Sequence, residues 1–250
     1  MATQNQIKEF ARKLKTYSKQ YLLKQYSELD ESATRLMINN LLTTVLGYKE
    51  LDEIKTEYRI RGEYADYIIQ TNRKKQFVVE VKAIQLDLSE KHLRQSVAYA
   101  ANEGIDWIIL TNGKFIEVYR VIFGKPITTK KIYGFDLTKQ LNESVNYLYY
   151  LTKKSVMRNE LNDFYARFKA LEPNTLANNL YSKEVIRFLK KVLKYKTGLY
   201  FSEDDILNSV HQIITTKIDS ICPNNPLSVF KKKEPRKIIP NIDENKTNLI

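Results

Sequence analysis

Asp66 lies in one apolar run, and Glu80 and Lys82 lie two residues apart in the next, within EYADYIIQTNRKKQFVVEVKA over residues 63–83. Side chains two apart on a strand share a face, so Glu80 and Lys82 point one way and Val79 and Val81 the other. A Glu-x-Lys pair by itself ordinarily marks a solvated face. Here the apolar neighbours read as a central strand, where a charged face needs a reason. A hairpin between the two runs would bring the Asp66 carboxylate beside that of Glu80. Two converging carboxylates form a hard-oxygen site suited to Mg²⁺, which keeps positions open for water and phosphate. Such an ion polarises a phosphodiester and lowers the pKa of its water. A lysine on the same face would orient that water or stabilise charge building on the phosphate.

These residues need a sheet to hold them. The segments 54–61, 64–70 and 76–83 are short, β-branched or aromatic, and broken by RG and TNRKK turns, which predicts three strands. DWIILTNGKFIEVYRVIF predicts two more around an Asn-Gly turn, and a last strand is expected near 127–133. Before the sheet, helical spacing covers 5–26 and 31–46, the second ending at Gly47. Residues 89–103 read as a helix with Ser89 as N-cap and Gly104 as stop. From about 137 the pattern is helical near 138–170, 182–196 and 203–220, with Pro173 and the PNTLANN loop separating the first two. The expected class is α/β: a mixed central sheet flanked by helices, with a helical C-terminal extension.

Composition narrows the function. The 250 residues carry 41 Lys and Arg against 29 Asp and Glu, a net charge of +12, which favours a polyanionic partner. One cysteine, Cys222, excludes an internal disulfide framework. That cysteine with two distant histidines, His92 and His211, leaves no zinc site of the usual type. No apolar run approaches the roughly 18 residues that span a bilayer, and MATQNQIKEFARK does not read as a signal peptide. A cytoplasmic protein without membrane contact is expected. No G-x-x-x-x-G-K-[ST] loop is present, so no ATP site is expected in this chain.

Asp66 followed by Glu80-Val81-Lys82 resembles the PD-(D/E)XK nucleases. More narrowly, the chain is similar to the N-terminal nuclease domain of type I restriction-enzyme motor subunits and their stand-alone relatives, predicted type IV restriction endonucleases. The resemblance runs over about residues 28–135 and includes LLTTVLGY, ADYII, VVEVKA, RQSVAYA and WIILTNGKFIEVY. It implies a restriction-endonuclease-like domain over 1–155 and Mg²⁺-dependent hydrolysis of DNA, with Mn²⁺ as substitute, leaving 5′-phosphate and 3′-hydroxyl ends. Asp66, Glu80 and the Val81 carbonyl would be metal ligands, Lys82 the catalytic lysine, and Gln95 and Tyr99 a Gln-x-x-x-Tyr pair that holds DNA or orients the site. Glu31 would be the additional acid of the first core helix, or equally an N-terminal charge favoured by the helix dipole. Ala65 stands where the family has its nominal proline.

Other features read more plainly. Trp107 is expected in the core and the Tyr147–Tyr149–Tyr150 cluster on a helix-packing face. His92 is expected on the surface. Residues 156–222 read as a helical unit for DNA binding or dimerisation, and 223–250 as an extended or disordered basic tail. SKEVIRFLKKVLKYK carries an apolar stripe of Val185, Ile186, Leu189, Val192 and Leu193, with Lys190, Lys191 and Lys194 off it as candidate DNA contacts. The next helix is expected to pack through Ile206, Leu207, Val210 and Ile214. Double-stranded DNA is the expected partner. A non-cutting DNA-binding module on the same fold, a homodimer, and a subunit that needs a separate motor or specificity partner stay open at this point.

Overall fold

The structure, a computed structural model, describes residues 2–60 and 63–215. The RG turn, the end of the 203–220 helix and the basic tail of 223–250 lie outside the described residues. The chain divides into two compact units between Asp163 and Phe164.

In the first unit, helix α1 (Gln4–Tyr21) opens on a Thr3–Gln6 capping box and buries Ile7, Phe10, Leu14 and Tyr17. Each is three or four residues after the last, so one stripe faces inward. Helix α2 (Glu31–Asn40) starts at Asp30, whose carboxylate accepts the Ala33 N–H, and continues as a π turn over Leu41–Val45. Gly47 ends it with φ of 84°, as its position in the sequence predicts. Leu36, although apolar, falls on the outer face and is exposed.

The sheet has six strands in sequential order: β1 (Ile54–Ile60), β2 (Glu63–Thr71), β3 (Lys74–Val81), β4 (Trp107–Thr111), β5 (Phe115–Ile122) and β6 (Thr128–Asp136). Only β3 and β4 run parallel, joined through a 3₁₀ turn (Glu90–Leu93) and α3 (Arg94–Glu103); the other neighbours are antiparallel. A parallel pair needs a crossover of this length, and it places a helix on one face of the sheet. Accordingly, Tyr99 and Ala100 of α3 pack with Ile68, Val78, Ile108 and Leu110. On the other face, Phe10, Leu14, Ile38 and Leu42 gather against Val79, Ile109 and Ile116. Both faces of β3 and β4 are therefore covered, which explains their nearly continuous apolar sequences.

The Asn-Gly hairpin forms between β4 and β5, with Gly113 at φ of 84°. The Asn112 side chain does more than turn the chain. Its carbonyl oxygen accepts from the N–H groups of Lys114 and Phe115, and its amide donates to the carbonyls of Ile84 and Leu86, pinning the segment after β3. The 138–170 stretch breaks into α4 (Leu141–Leu148), α5 (Lys153–Met157), capped by Thr152, and α6 (Glu160–Ala170), with Asn159 at positive φ between the last two. The unit division falls within α6.

In the second unit the expected PNTLANN loop is instead a helix, α7 (Pro173–Leu180). Proline sits at its first turn, where its missing N–H costs nothing, so the residue that reads as a breaker is a start signal. Helices α8 (Lys183–Thr197) and α9 (Glu203–Thr215) bury Ile186, Ile206 and Val210, joined by Leu189, Leu193 and Ile214. Leu207, expected in that contact, is exposed.

Candidate active site

The β2–β3 ladder pairs Tyr67 with Val79 and extends no further toward Asp66 and Glu80. Where the backbone pairing stops, a side chain takes over: Asp66 Oδ2 accepts the Val81 N–H at 2.7 Å. Asp66 is thereby fixed between the two strands, and its other oxygen accepts from Arg35 Nη2 at 2.5 Å. Arg35 lies one turn after Glu31 on α2 and donates to it at 3.0 Å. Glu31 in turn lies 3.7 Å from Lys82 Nζ, which donates to Glu80 at 2.6 Å. The second Glu80 oxygen accepts from the Ser96 hydroxyl of α3, again at 2.6 Å.

The result is one continuous network, Asp66–Arg35–Glu31–Lys82–Glu80–Ser96, built from β2, β3, α2 and α3. Three carboxylates against two cations leave one negative charge in excess. Glu80 is only 4% exposed, whereas Glu31 and Arg35 on the α2 side remain open to solvent. Burial pushes the Glu80 carboxyl above its ordinary range, and the Asp66 charge adds to this; the bonds from Lys82 and Ser96 oppose it without reversing it. Burial pulls the Lys82 ammonium down, but its bond to Glu80 and the charges of Glu80, Glu31 and Asp66 more than offset that, so it is held above its ordinary value. Among the described residues, no group of three or more His, Cys, Asp or Glu side chains gathers as a metal cluster.

The structure thus brings together Asp66, Glu80, Lys82 and Glu31, and places Val81 at their junction. It separates the Gln95 and Tyr99 pair, although the two lie one turn apart. Gln95 is exposed, while Tyr99 is fully buried. The Tyr99 hydroxyl accepts from Lys75, at the far end of β3. The α3 residue that reaches Glu80 is Ser96, which shares its buried face with Tyr99 and Ala100 at helical spacing. Arg35 and Asn112 were also missed by sequence reasoning. A small polar residue on an apolar helix face was the available signal for Ser96; Arg35 gave none beyond lying one turn after Glu31. Trp107 is core, with its indole N–H on Asn162 and Arg120 over its ring. His92 Nδ1 accepts the Ser89 N–H, a capping role. Tyr149 is buried edge-on to Phe10, and Tyr147 packs on Tyr133 and Phe135.

The fold is thus a mixed α/β sheet flanked by helices, with acids and a lysine gathered where two of its strands part. Residues 30–130 match the family model for the type I restriction enzyme R protein N terminus (HSDR_N). The resemblance read from the motifs therefore holds over this segment, which fits a nuclease domain of type I R subunits and supports a restriction-related nuclease role. No curated protein and no solved structure matches the chain. No helix among the described residues is long and apolar enough to cross a membrane.

Proposed function

We propose that the chain is a Mg²⁺-dependent DNA endonuclease that hydrolyses phosphodiester bonds in restriction or phage defence. One observation carries the proposal: the buried Glu80 and the Asp66 carboxylate close enough to raise it, within a network one negative charge in excess. That donor set, oxygen-only and short of positive charge, fits a hard divalent cation. Asp66, Glu80 and the Val81 carbonyl would hold it, with Glu31 as the further acid. When bound, such an ion supplies positive charge for the scissile phosphate and a more acidic water.

The other roles belong to the chain. Lys82 presents its ammonium beside Glu80 and stabilises charge building on the phosphate. Ser96 fixes the direction of the Glu80 carboxylate, and the Val81 N–H fixes that of Asp66. Arg35 anchors Asp66 to α2, so the strands and the helix that carry the acids stay in register. Gln95, exposed on α3, would touch DNA, whereas Tyr99 acts by packing α3 against the sheet. Lys190, Lys191 and Lys194 add phosphate contacts. The family description, an R protein N terminus, supports duplex DNA as substrate and a separate motor or specificity subunit as partner.

The test is incubation of the purified protein with modified and unmodified plasmid, in Mg²⁺ or in EDTA. Nicks or breaks that require Mg²⁺ are expected. DNA that stays intact under every combination, also with a motor or specificity subunit added, would contradict the proposal.

A further inference from the structure

One flank of α8 is a continuous basic arc. At about 100° per residue, Arg187, Lys190, Lys191 and Lys194 fall on adjacent rows beside the buried stripe of Ile186, Leu189 and Leu193. They form one wall of an open cleft of about 330 Å³, and Tyr200 and Phe201 form the other. Gly198 closes α8 in the left-handed conformation and turns the chain so that these rings stand against the helix. Lys194 Nζ donates to the Tyr200 hydroxyl at 2.7 Å and lies over one face of its ring, 4.1 Å from the centroid, yet Tyr200 stays 79% exposed, which leaves the other face for a base. Beyond the arc stand Phe188 and Tyr195, 64% and 92% exposed. Arg187 has only a 3.7 Å contact with Glu203, and Lys190 and Lys191 have no carboxylate partner among the described residues.

Two properties select an occupant. Four cations, with only Glu203 among the described carboxylates at ion-pair distance, call for a polyanion. A second copy of this face would bring like charges together, which rules against self-pairing through it. Duplex DNA would satisfy the cations but keeps its base faces stacked, leaving the exposed Tyr195 ring and the open face of Tyr200 without a stacking partner. An unpaired strand offers both phosphates and free π-faces, the combination that single-strand binding surfaces use.

We propose that this cleft binds an unpaired stretch of DNA, with phosphates on Arg187, Lys190, Lys191 and Lys194 and bases stacked on Tyr200 and Tyr195. The proposal deepens the reading of the chain as a protein that acts on DNA and rests on it. The measurement is fluorescence anisotropy with the full chain in EDTA, using a labelled thymidine oligomer and a duplex of equal length across a salt series. The strand should bind more tightly than the duplex. Tyr195→Ala with Tyr200→Ala should weaken strand binding about tenfold or more and leave duplex binding and the salt slope unchanged. Tyr200→Phe, which keeps the ring, should retain strand binding.

Replacing Lys190, Lys191 and Lys194 with Ala should weaken both ligands and flatten the log–log salt slope for the strand by about two units. Equal binding of strand and duplex, indifferent to the tyrosines, would overturn the proposal, and so would a folded chain that ignores the strand. Strand binding by a chain that never cuts plasmid would sink the nuclease reading alone. Cutting without strand preference would sink this one alone.

Discussion

A lysine with a glutamate partner stands near each end of strand β3, and α3 supplies a contact to both. At the first end Lys75 pairs with Glu103, its ammonium also on the Tyr99 hydroxyl. At the second Lys82 pairs with Glu80, and Ser96 of α3 completes the contact. The residue types are the same, yet the settings differ. Lys75 and Glu103 are both partly exposed, and one charge answers the other. At the other end the acid is in the strand itself and buried, and three carboxylates share two cations. An ion pair that completes itself holds structure together. One that leaves a buried carboxylate under-compensated gives up stability, and on the proposed function that is the site a cation would take.

The largest difference between the ends should appear in metal binding. Asp66→Asn keeps an oxygen but removes a charge, and calorimetry should show Mg²⁺ or Mn²⁺ binding lost, whereas Lys75→Ala should leave it unchanged. Unaltered binding in Asp66→Asn would remove that residue from the ligand set. Next in size is Ser96→Ala, which frees one Glu80 oxygen; partners that orient a ligand typically contribute 10- to 100-fold, so a loss of about that size is expected in affinity or rate. A Ser96→Ala protein with wild-type affinity and rate would make the hydroxyl a packing detail.

Stability should then separate the ends by sign. The raised Glu80 pKa means that the neutral form suits its site better than the charged one, so Glu80→Gln should raise the melting temperature at pH 7. The gain should shrink as pH falls through the raised folded value and vanish below the ordinary carboxyl value of 4.5, where wild-type Glu80 is itself protonated in both states. Lys75 behaves oppositely. Burial lowers its pKa, but Glu103 and Tyr99 raise it further, and the net value lies above 10.5. Its contribution is therefore complete below pH 10.5 and is lost as pH rises through the elevated folded value. Lys75→Ala should cost at most about 1 kcal/mol at pH 7. Melting curves against pH decide both, and a Glu80→Gln protein less stable than wild type at neutral pH would break the contrast.

Much of the sheet was legible in the sequence because turn residues punctuate short β-branched and aromatic runs. Those signals placed all six strands to within a few residues, and that Asp66, Glu80 and Lys82 would come together followed from residue type and order on adjacent strands. What was hidden depends on contacts distant along the chain. Nothing local tells that Arg35 will reach Asp66, or that Asn112 will hold the segment after β3. Gln95 and Tyr99 show the limit of spacing: one turn apart, they straddle the edge of the buried face, and Ser96 between them makes the contact. In the second unit, Pro173 read as a breaker because composition alone does not separate a loop from a helix's first turn.

The most direct measurement is the rate of plasmid cleavage in Mg²⁺ by wild type, Glu80→Ala, Lys82→Ala and Lys75→Ala, each shown to be folded. Loss of one such charge-stabilising group usually costs roughly 10²-fold or more. Cleavage should therefore be abolished in the first two variants and stay near wild type in the third, with duplex affinity largely retained throughout, because affinity comes from phosphate contacts spread over the surface. Wild-type cutting by Glu80→Ala or Lys82→Ala, or an equal loss in Lys75→Ala, would contradict the assignment of the site to this end of β3.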